Sequence, residues 1–451
     1  MNKQKETSLS VSKVYIEELF GYYTYTLPNS DEQDISKLLL VYGDNGTGKT
    51  TLLNLFFYLL STKDKSGYKS SIAETKFKKF SIHFNNGIEI GASRENGQKG
   101  SYEYYISENG EKIKSVFLVA DQDNAIMFEP QSETGIKFDE IINYIKGLNI
   151  AAFYLSDDRR IRDTITSDKH SRSQTRDAIN LYFKTKIASH KDFERGSNKE
   201  SDDESSISLE HAIERLLDWV RSKVISGSKV GEKNSQVIFS DIIENYITLS
   251  DTETTTTEKN ILLAELDKLD KLLPSYVDLG LIDEFDTKKI RRSIKQARKT
   301  EQIKFLNTVI SPFLEGINAK LEALKVVEKT INLFIETVND YFTNKSISFN
   351  LNSGFDIEQK NGTPLEFSWL SSGEKQLLLL LINTITSTEV ATFFIIDEPE
   401  ISLNIKWQRK LIKTLLTFSA DKNIQFILAT HSFELLSAYK NNTSKLIDQN
   451  V

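Results

Sequence analysis

The chain has 451 residues, of which 39% are hydrophobic and 27% charged, with a formal net charge of −7 and no cysteine. That length holds two or three domains with sizeable cores, no run approaches the 18 uncharged apolar residues of a membrane span, and the opening Met1-Asn2-Lys3-Gln4-Lys5-Glu6 lacks the apolar core of a secretory signal. A cytoplasmic protein is expected, without global attraction to nucleic acid and without a membrane, although a local basic face could still meet phosphates.

In chain order, strands come first. Val14 to Leu27 alternates apolar and aromatic residues, among them Phe20, Tyr22, Tyr23 and Tyr25, and Leu38-Leu39-Leu40-Val41-Tyr42 reads as a buried strand. One of these tyrosines could stack on an adenine; packing within the strands is the plainer role. Next comes Gly43-Asp44-Asn45-Gly46-Thr47-Gly48-Lys49-Thr50, followed by the apolar helix Leu52-Leu53-Asn54-Leu55-Phe56-Phe57. A glycine-rich loop between a buried strand and a helix is a P-loop in its proper context. Glycines let successive backbone N–H groups turn inward around a phosphate, and the positive end of the helix dipole faces the same point. Asn45, Gly46, Thr47, Gly48 and Thr51 are the candidate phosphate contacts. Lys49 would reach the β- and γ-phosphates, and Thr50 would place its hydroxyl on Mg²⁺, because hard cations take oxygen ligands. ATP with Mg²⁺ is the expected ligand.

Phe80 to Ile90, Tyr102 to Ile106 and Val116 to Val119 read as antiparallel strands with turns at Asn85-Asn86-Gly87 and Glu108-Asn109-Gly110. Gln122 follows them, a candidate metal-proximal residue that an ordinary surface turn would also explain. Ala151 to Leu155 is another strand, ending in Ser156-Asp157-Asp158-Arg159-Arg160, whose arginines could face a nucleotide, a neighbouring subunit or a surface acid. From 161 to 345 the chain becomes polar and helical, with low-complexity breaks at 196–206 and 250–259. Ile317, Leu324, Ile331 and Val338 recur every seven residues beside a second seam of Val327, Phe334 and Tyr341, which is coiled-coil or helix-hairpin patterning in a helix beginning after Pro312. Lys288 to Lys299 is a basic run, suited to phosphates or an acidic protein, though a solvated face is commoner.

Leu370-Ser371-Ser372-Gly373-Glu374-Lys375-Gln376 opens an apolar helix and by itself could be a plain N-cap. Ala391 to Ile396 is a buried strand ending in Asp397-Glu398-Pro399-Glu400, and two acids at a strand's carboxyl end fall where open α/β sheets bind ligands. Asp397 is then a Mg²⁺ partner, directly or one shell removed, and Glu398 the base that polarises the attacking water. Ile427-Leu428-Ala429-Thr430-His431-Ser432 closes the set.

Together these motifs resemble those of the ABC-type ATPases, in the Ser-Ser-Gly-Glu form common in the RecF, SMC and OLD-like branch. Ser371-Ser372-Gly373-Glu374 looks like the signature motif, Asp397 to Asn404 like the Walker B segment and D-loop with Asn404 where transporters usually carry Asp, and His431 like the switch histidine. The resemblance implies an α/β fold: an ABC-type P-loop ATPase head, with a mixed central sheet and β-lobe, plus a helical or coiled-coil insertion. The halves of the head would be 1–160 and 346–451 and the insertion 161–345. It also implies a homo-oligomer, at least a dimer, in which Ser371, Ser372 and Gly373 of one subunit close over nucleotide held by another, while His431 senses the γ-phosphate. Gln122 would be its Q-loop residue. About 20 residues follow Ser432, where OLD-type proteins continue into a nuclease. The whole resembles the ATPase subunits of two-gene anti-phage systems such as PARIS and Septu, which implies a separately encoded nuclease or toxin effector and a phage trigger. A RecF-like repair ATPase acting on DNA and a transporter-type ATPase subunit are the alternatives.

Overall fold

A computed structural model describes residues 9–30, 32–63, 67–96, 99–156, 161–164, 209–227, 256–284, 286–386, 391–401 and 403–449. Arg159, Arg160, Ser402 and the break at 196–206 lie outside the described residues. In chain order the elements are β1 (Val11–Leu19), β2 (Tyr23–Leu27), β3 (Leu38–Tyr42), α1 (Lys49–Leu60), α2 (Tyr68–Glu74), β4 (Lys79–Phe84), β5 (Ile88–Ser93), β6 (Tyr102–Glu108), β7 (Glu111–Leu118), α3 (Glu133–Gly147), β8 (Ile150–Leu155) and β9 (Ile161–Asp163). A helix over 209–227, α4, comes next. Then follow α5 (Thr256–Asp278), α6 (Thr287–Gln296), α7 (Thr300–Tyr341), β10 (Lys345–Asn350), β11 (Gly354–Gln359), β12 (Pro364–Leu365), α8 (Ser372–Thr386), β13 (Ala391–Asp397), α9 (Ile405–Phe418), β14 (Ile424–Ala429), α10 (Phe433–Ala438) and β15 (Thr443–Lys445). The described chain forms two compact units, one from the residues up to Thr164 and from Ser371 onward, the other from Leu209 to Leu370.

The first unit is α/β with two six-stranded sheets. Its central sheet has the order β15-β3-β14-β13-β8-β9, parallel except for β9, which runs antiparallel to β8. β14 is buried throughout and β13 is apolar from Phe393 to Ile396, as strands covered on both faces must be. The β-lobe sheet, β2-β1-β4-β5-β6-β7, is antiparallel throughout. One apolar core joins both sheets through α1, whose Phe56 meets Phe393 edge-on at 6.1 Å. Each such buried side chain contributes about 1.5–3 kcal/mol. Gln425 stitches the two layers: its amide donates to Val11 O (3.0 Å) and Ile35 O (2.7 Å) and accepts from Val11 N (2.7 Å). Lys69 donates to the carbonyls of Tyr58 and Leu59, and the Tyr104 hydroxyl adds a third bond to Leu59 O. These donors satisfy the C-terminal end of α1 that the helix itself leaves open.

The second unit is helical with a small sheet. α7 runs unbroken from Thr300 to Tyr341 through Pro312, so the helix begins well before the proline rather than after it. Ile310, Pro312 and Leu314 are all buried. Burying the two aliphatic chains is worth about 1.5–3 kcal/mol each, enough to offset the roughly 3 kcal/mol an internal proline costs. The heptad seams are buried at Leu324, Val327, Ile331, Phe334, Val338 and Tyr341, while Ile317 is half-buried. α5 starts at Thr256, so the last part of the expected break at 250–259 is helix. The antiparallel sheet β10-β11-β12 belongs to this unit, past the expected boundary at 345. Leu351 N–H donates to Leu279 O, both backbone groups of Ile347 bond the Asn339 side chain, and Phe355 packs on Phe334.

Candidate nucleotide site

Register across the central strands builds the site. Val41 of β3 pairs with Ala429 of β14, and Ala429 pairs with Asp397 of β13. The loops beginning at Gly43, Thr430 and Glu398 therefore leave the sheet at one level on its carboxyl edge, where α/β folds collect ligands.

The P-loop needs its glycines. Gly46 and Gly48 have φ of 83° and 90°, which side chains rarely adopt. A Cβ on Gly48 would also sit 2.6 Å from Leu19 Cδ2. The Tyr25 hydroxyl donates to Thr47 O at 3.1 Å, so this tyrosine braces the loop, whereas Tyr22 is exposed. Lys49 is buried and folds over the mouth of its own loop, donating from Nζ to Gly43 O (2.9 Å) and Asp44 O (3.2 Å). Burial lowers its pKa, against the opposing pull of Glu398, Asp397, Asp44 and Glu400. Its ammonium is thus held close to the backbone of its own loop, within the field of four carboxylates. Asn45 and Thr50 are exposed and Thr51 half-buried.

Asp397 closes β13 almost wholly buried. Glu398 follows with φ 47°, a left-handed conformation that costs a non-glycine residue about 1–2 kcal/mol. It is held by its N–H to Ala429 O at 2.9 Å. Strain of this kind collects at functional positions. Glu398 Oε1 stands 3.4 Å from His431 Nε2, so the candidate base and the candidate switch histidine meet. The sequence did not single out Glu400, yet its Oε1 accepts three bonds, from Thr430 Oγ1 (2.6 Å), His431 N (2.7 Å) and Ser432 N (2.9 Å). An acid five residues before a helix was the signal the sequence offered; that it faces the free N–H groups at the start of another helix only the structure shows.

Ser371 and Ser372 are exposed at the start of α8. Glu374 closes a capping box with Ser371: its carboxylate accepts from Ser371 N (2.7 Å), and Ser371 Oγ accepts from Glu374 N (3.4 Å). Glu374, expected among the nucleotide contacts, is here the helix cap. Among the described residues no hydrogen bond joins Ser371, Ser372 or Gly373 to the P-loop of the same chain. Asn404 caps α9 by accepting from Trp407 N at 3.0 Å. Gln122 is exposed in the turn Asp121–Asn124, and no hydrogen bond or ion pair among the described residues ties it to Lys49, Asp397 or Glu398. In the second unit Arg291 is taken up by Asp267 and Asp270, at 2.6 Å each. Lys288, Lys289, Arg292, Lys295, Arg298 and Lys299 are exposed.

The donor set suits a nucleotide with Mg²⁺: a glycine cradle, one buried ammonium, the Thr50 hydroxyl and the carboxylate of Asp397. Among the described residues no group of three or more His, Asp or Glu side chains could hold a metal unaided. Mg²⁺ would lean on phosphate oxygens and water, as it does in nucleotide sites. Among the described residues no helix is long and apolar enough to cross a membrane.

The family model described as "AAA domain, putative AbiEii toxin, Type IV TA system" matches residues 38–437. No curated protein matches the chain significantly. Similar solved structures include the Smc head domain with an extended coiled coil bound to the C-terminal domain of ScpA from Pyrococcus furiosus, at 13% identity over 95% of this chain and 91% of that one, TM-score 0.37. The SMC head domain from Thermotoga maritima is 10% identical over 95% and 92%, TM-score 0.29.

Proposed function

The chain belongs to this AAA-domain family of P-loop ATPases, and we propose from that premise that it is an ATP-binding and hydrolysing subunit of an anti-phage defence system, oligomeric and controlling a separately encoded nuclease or toxin effector. The observation that carries the ATPase reading is the meeting of Lys49, Asp397, Glu398 and His431 at the carboxyl ends of β3, β13 and β14. The family's description, "putative AbiEii toxin, Type IV TA system", supports the defence setting.

In this reading the P-loop N–H groups and Lys49 hold the phosphates, while Thr50 and Asp397 hold Mg²⁺. When bound, the metal supplies positive charge against the phosphate oxygens. Glu398 orients the attacking water, and His431, in contact with it, faces the γ-phosphate. Ser371 and Ser372 act on nucleotide in a second subunit. Their exposure supports this, as do Phe433 (82% exposed) and Ile405 (57% exposed), large apolar side chains bordering His431 and Asn404. Ser371→Arg and Lys49→Ala proteins, each inactive alone, should regain ATPase activity on mixing, because some composite sites then carry neither change. Mixed oligomers confirmed by mass that stay inactive would point to a site completed within one chain. Co-purification with the product of the adjacent gene tests the effector.

The exposed cations of α6 favour a second reading, a repair ATPase acting on DNA. Because Arg291 is already paired, the variant that tests it is Lys288→Gln, Arg292→Gln, Lys295→Gln and Arg298→Gln combined. We expect the unmodified protein to bind duplex weakly and the variant to differ little. Tight, salt-steep binding whose slope flattens by roughly 0.9 per lost phosphate contact would favour the repair reading.

A further inference from the structure

We propose that Glu400 is a positioning residue that fixes His431 against Glu398. The turn after β13 presents two carboxylates to the loop after β14. Glu398 meets the imidazole at 3.4 Å, and Glu400 Oε1 gathers the His431 and Ser432 N–H groups and the Thr430 hydroxyl. The turn itself is closed by Ile401 N–H to Glu398 O at 3.0 Å, so both acids are offered from one rigid frame. Thr430 is fully buried and its N–H is tied to Val41 O at 3.1 Å, which carries the clamp across to the strand that bears the P-loop. His431 lies beyond the end of its strand, exposed, and among the described residues no hydrogen bond from its own loop holds the ring. A two-point grip on ring and backbone does. Apart from the pull of its charge on Lys49, Glu400 acts through His431.

The placement makes Glu400 distinct from a general support of the fold. Its second oxygen, Oε2, is buried without a hydrogen-bond partner among the described residues, so Glu400→Gln keeps the accepting oxygen and breaks no bond of Oε2. Glu400→Ala removes all three bonds. The kinetic arm rests on the ATPase reading; the spectroscopic arm does not. Glu400→Ala should lower kcat about tenfold, as a small misplacement of a reacting group does, with ATP affinity within about twofold. Glu400→Gln should recover most of that loss. In a His431→Ala background Glu400→Ala should cost less than about twofold more, since residues acting as one unit are non-additive. The His431 ring signal in the NMR spectrum, assigned by its disappearance in His431→Ala, should shift in Glu400→Ala and in Glu398→Gln but stay in place in Glu400→Gln. Equal loss from Glu400→Ala with and without His431 would overturn the proposal, as would a ring signal indifferent to Glu400→Ala. Should the alanine protein fail to fold, a displaced ring signal or an about tenfold loss in Glu400→Gln overturns it. A wild-type protein without turnover sinks the ATPase reading and leaves the spectral test standing.

Discussion

Glu398→Gln should cut ATP turnover by about 10² or more while ATP binding persists. The amide keeps the size of the side chain and its place in the left-handed turn, so the N–H bond to Ala429 O and the neighbouring Asp397 are undisturbed. What it loses is the negative charge that lies 3.4 Å from His431 and is proposed to polarise water. Removing a carboxylate also removes one source of attraction on Lys49 without touching the phosphate cradle. Binding of ATP by calorimetry should stay within a few-fold of wild type, and steady-state phosphate release should collapse. Wild-type turnover in a purified Glu398→Gln sample would place the base elsewhere.

Lys49→Ala should act on the other side of the ledger, weakening ATP binding by about 10², or about 2.7 kcal/mol. The size follows from what the ammonium faces. Glu398, Asp397, Asp44 and Glu400 all bear on it, and a polyphosphate brought there without the cation meets uncompensated negative charge in a partly buried setting, where Coulomb terms are strong. The carbonyls of Gly43 and Asp44, which Lys49 now engages, would also turn their negative ends toward the phosphates. Calorimetry with ATP and Mg²⁺ reads the loss directly. Affinity within twofold of wild type would mean that the backbone cradle alone carries the phosphates.

Much of this was legible because it is local. A strand of Leu38 to Tyr42, a glycine loop and an apolar helix can be read in one window, and so can Phe393 to Glu398, since a doubly buried parallel strand leaves no polar residue to obscure it. The heptads of α7 were equally plain, whereas its start was not: Pro312 reads as a breaker in isolation, and only the burial of Ile310 and Leu314 on either side carries the helix through it. A boundary drawn at 345 follows sequence adjacency, whereas β10-β11-β12 belongs by contact to the second unit. Bonds such as Leu351 to Leu279 span distances no local pattern encodes. Tyr25 bracing Thr47, Gln425 joining two sheets and Glu400 gripping the loop at His431 were invisible for the same reason. Each is a polar side chain whose partner lies on another strand or loop.

The order of strands in the central sheet bears on how the protein is made. β3, which ends in the P-loop, lies between β14 and β15, and the rest of the sheet is likewise interleaved from segments on both sides of the second unit. While the chain is still emerging from the ribosome, β3 has no strand to pair with until residues beyond Ile424 are out. Lys49 is synthesised far ahead of Asp397, Glu398 and Glu400 and of β13 and β14, which give it its setting. Competence to hold nucleotide therefore waits for β13 and β14, and a product that stops short of β14 carries a P-loop motif without a nucleotide site.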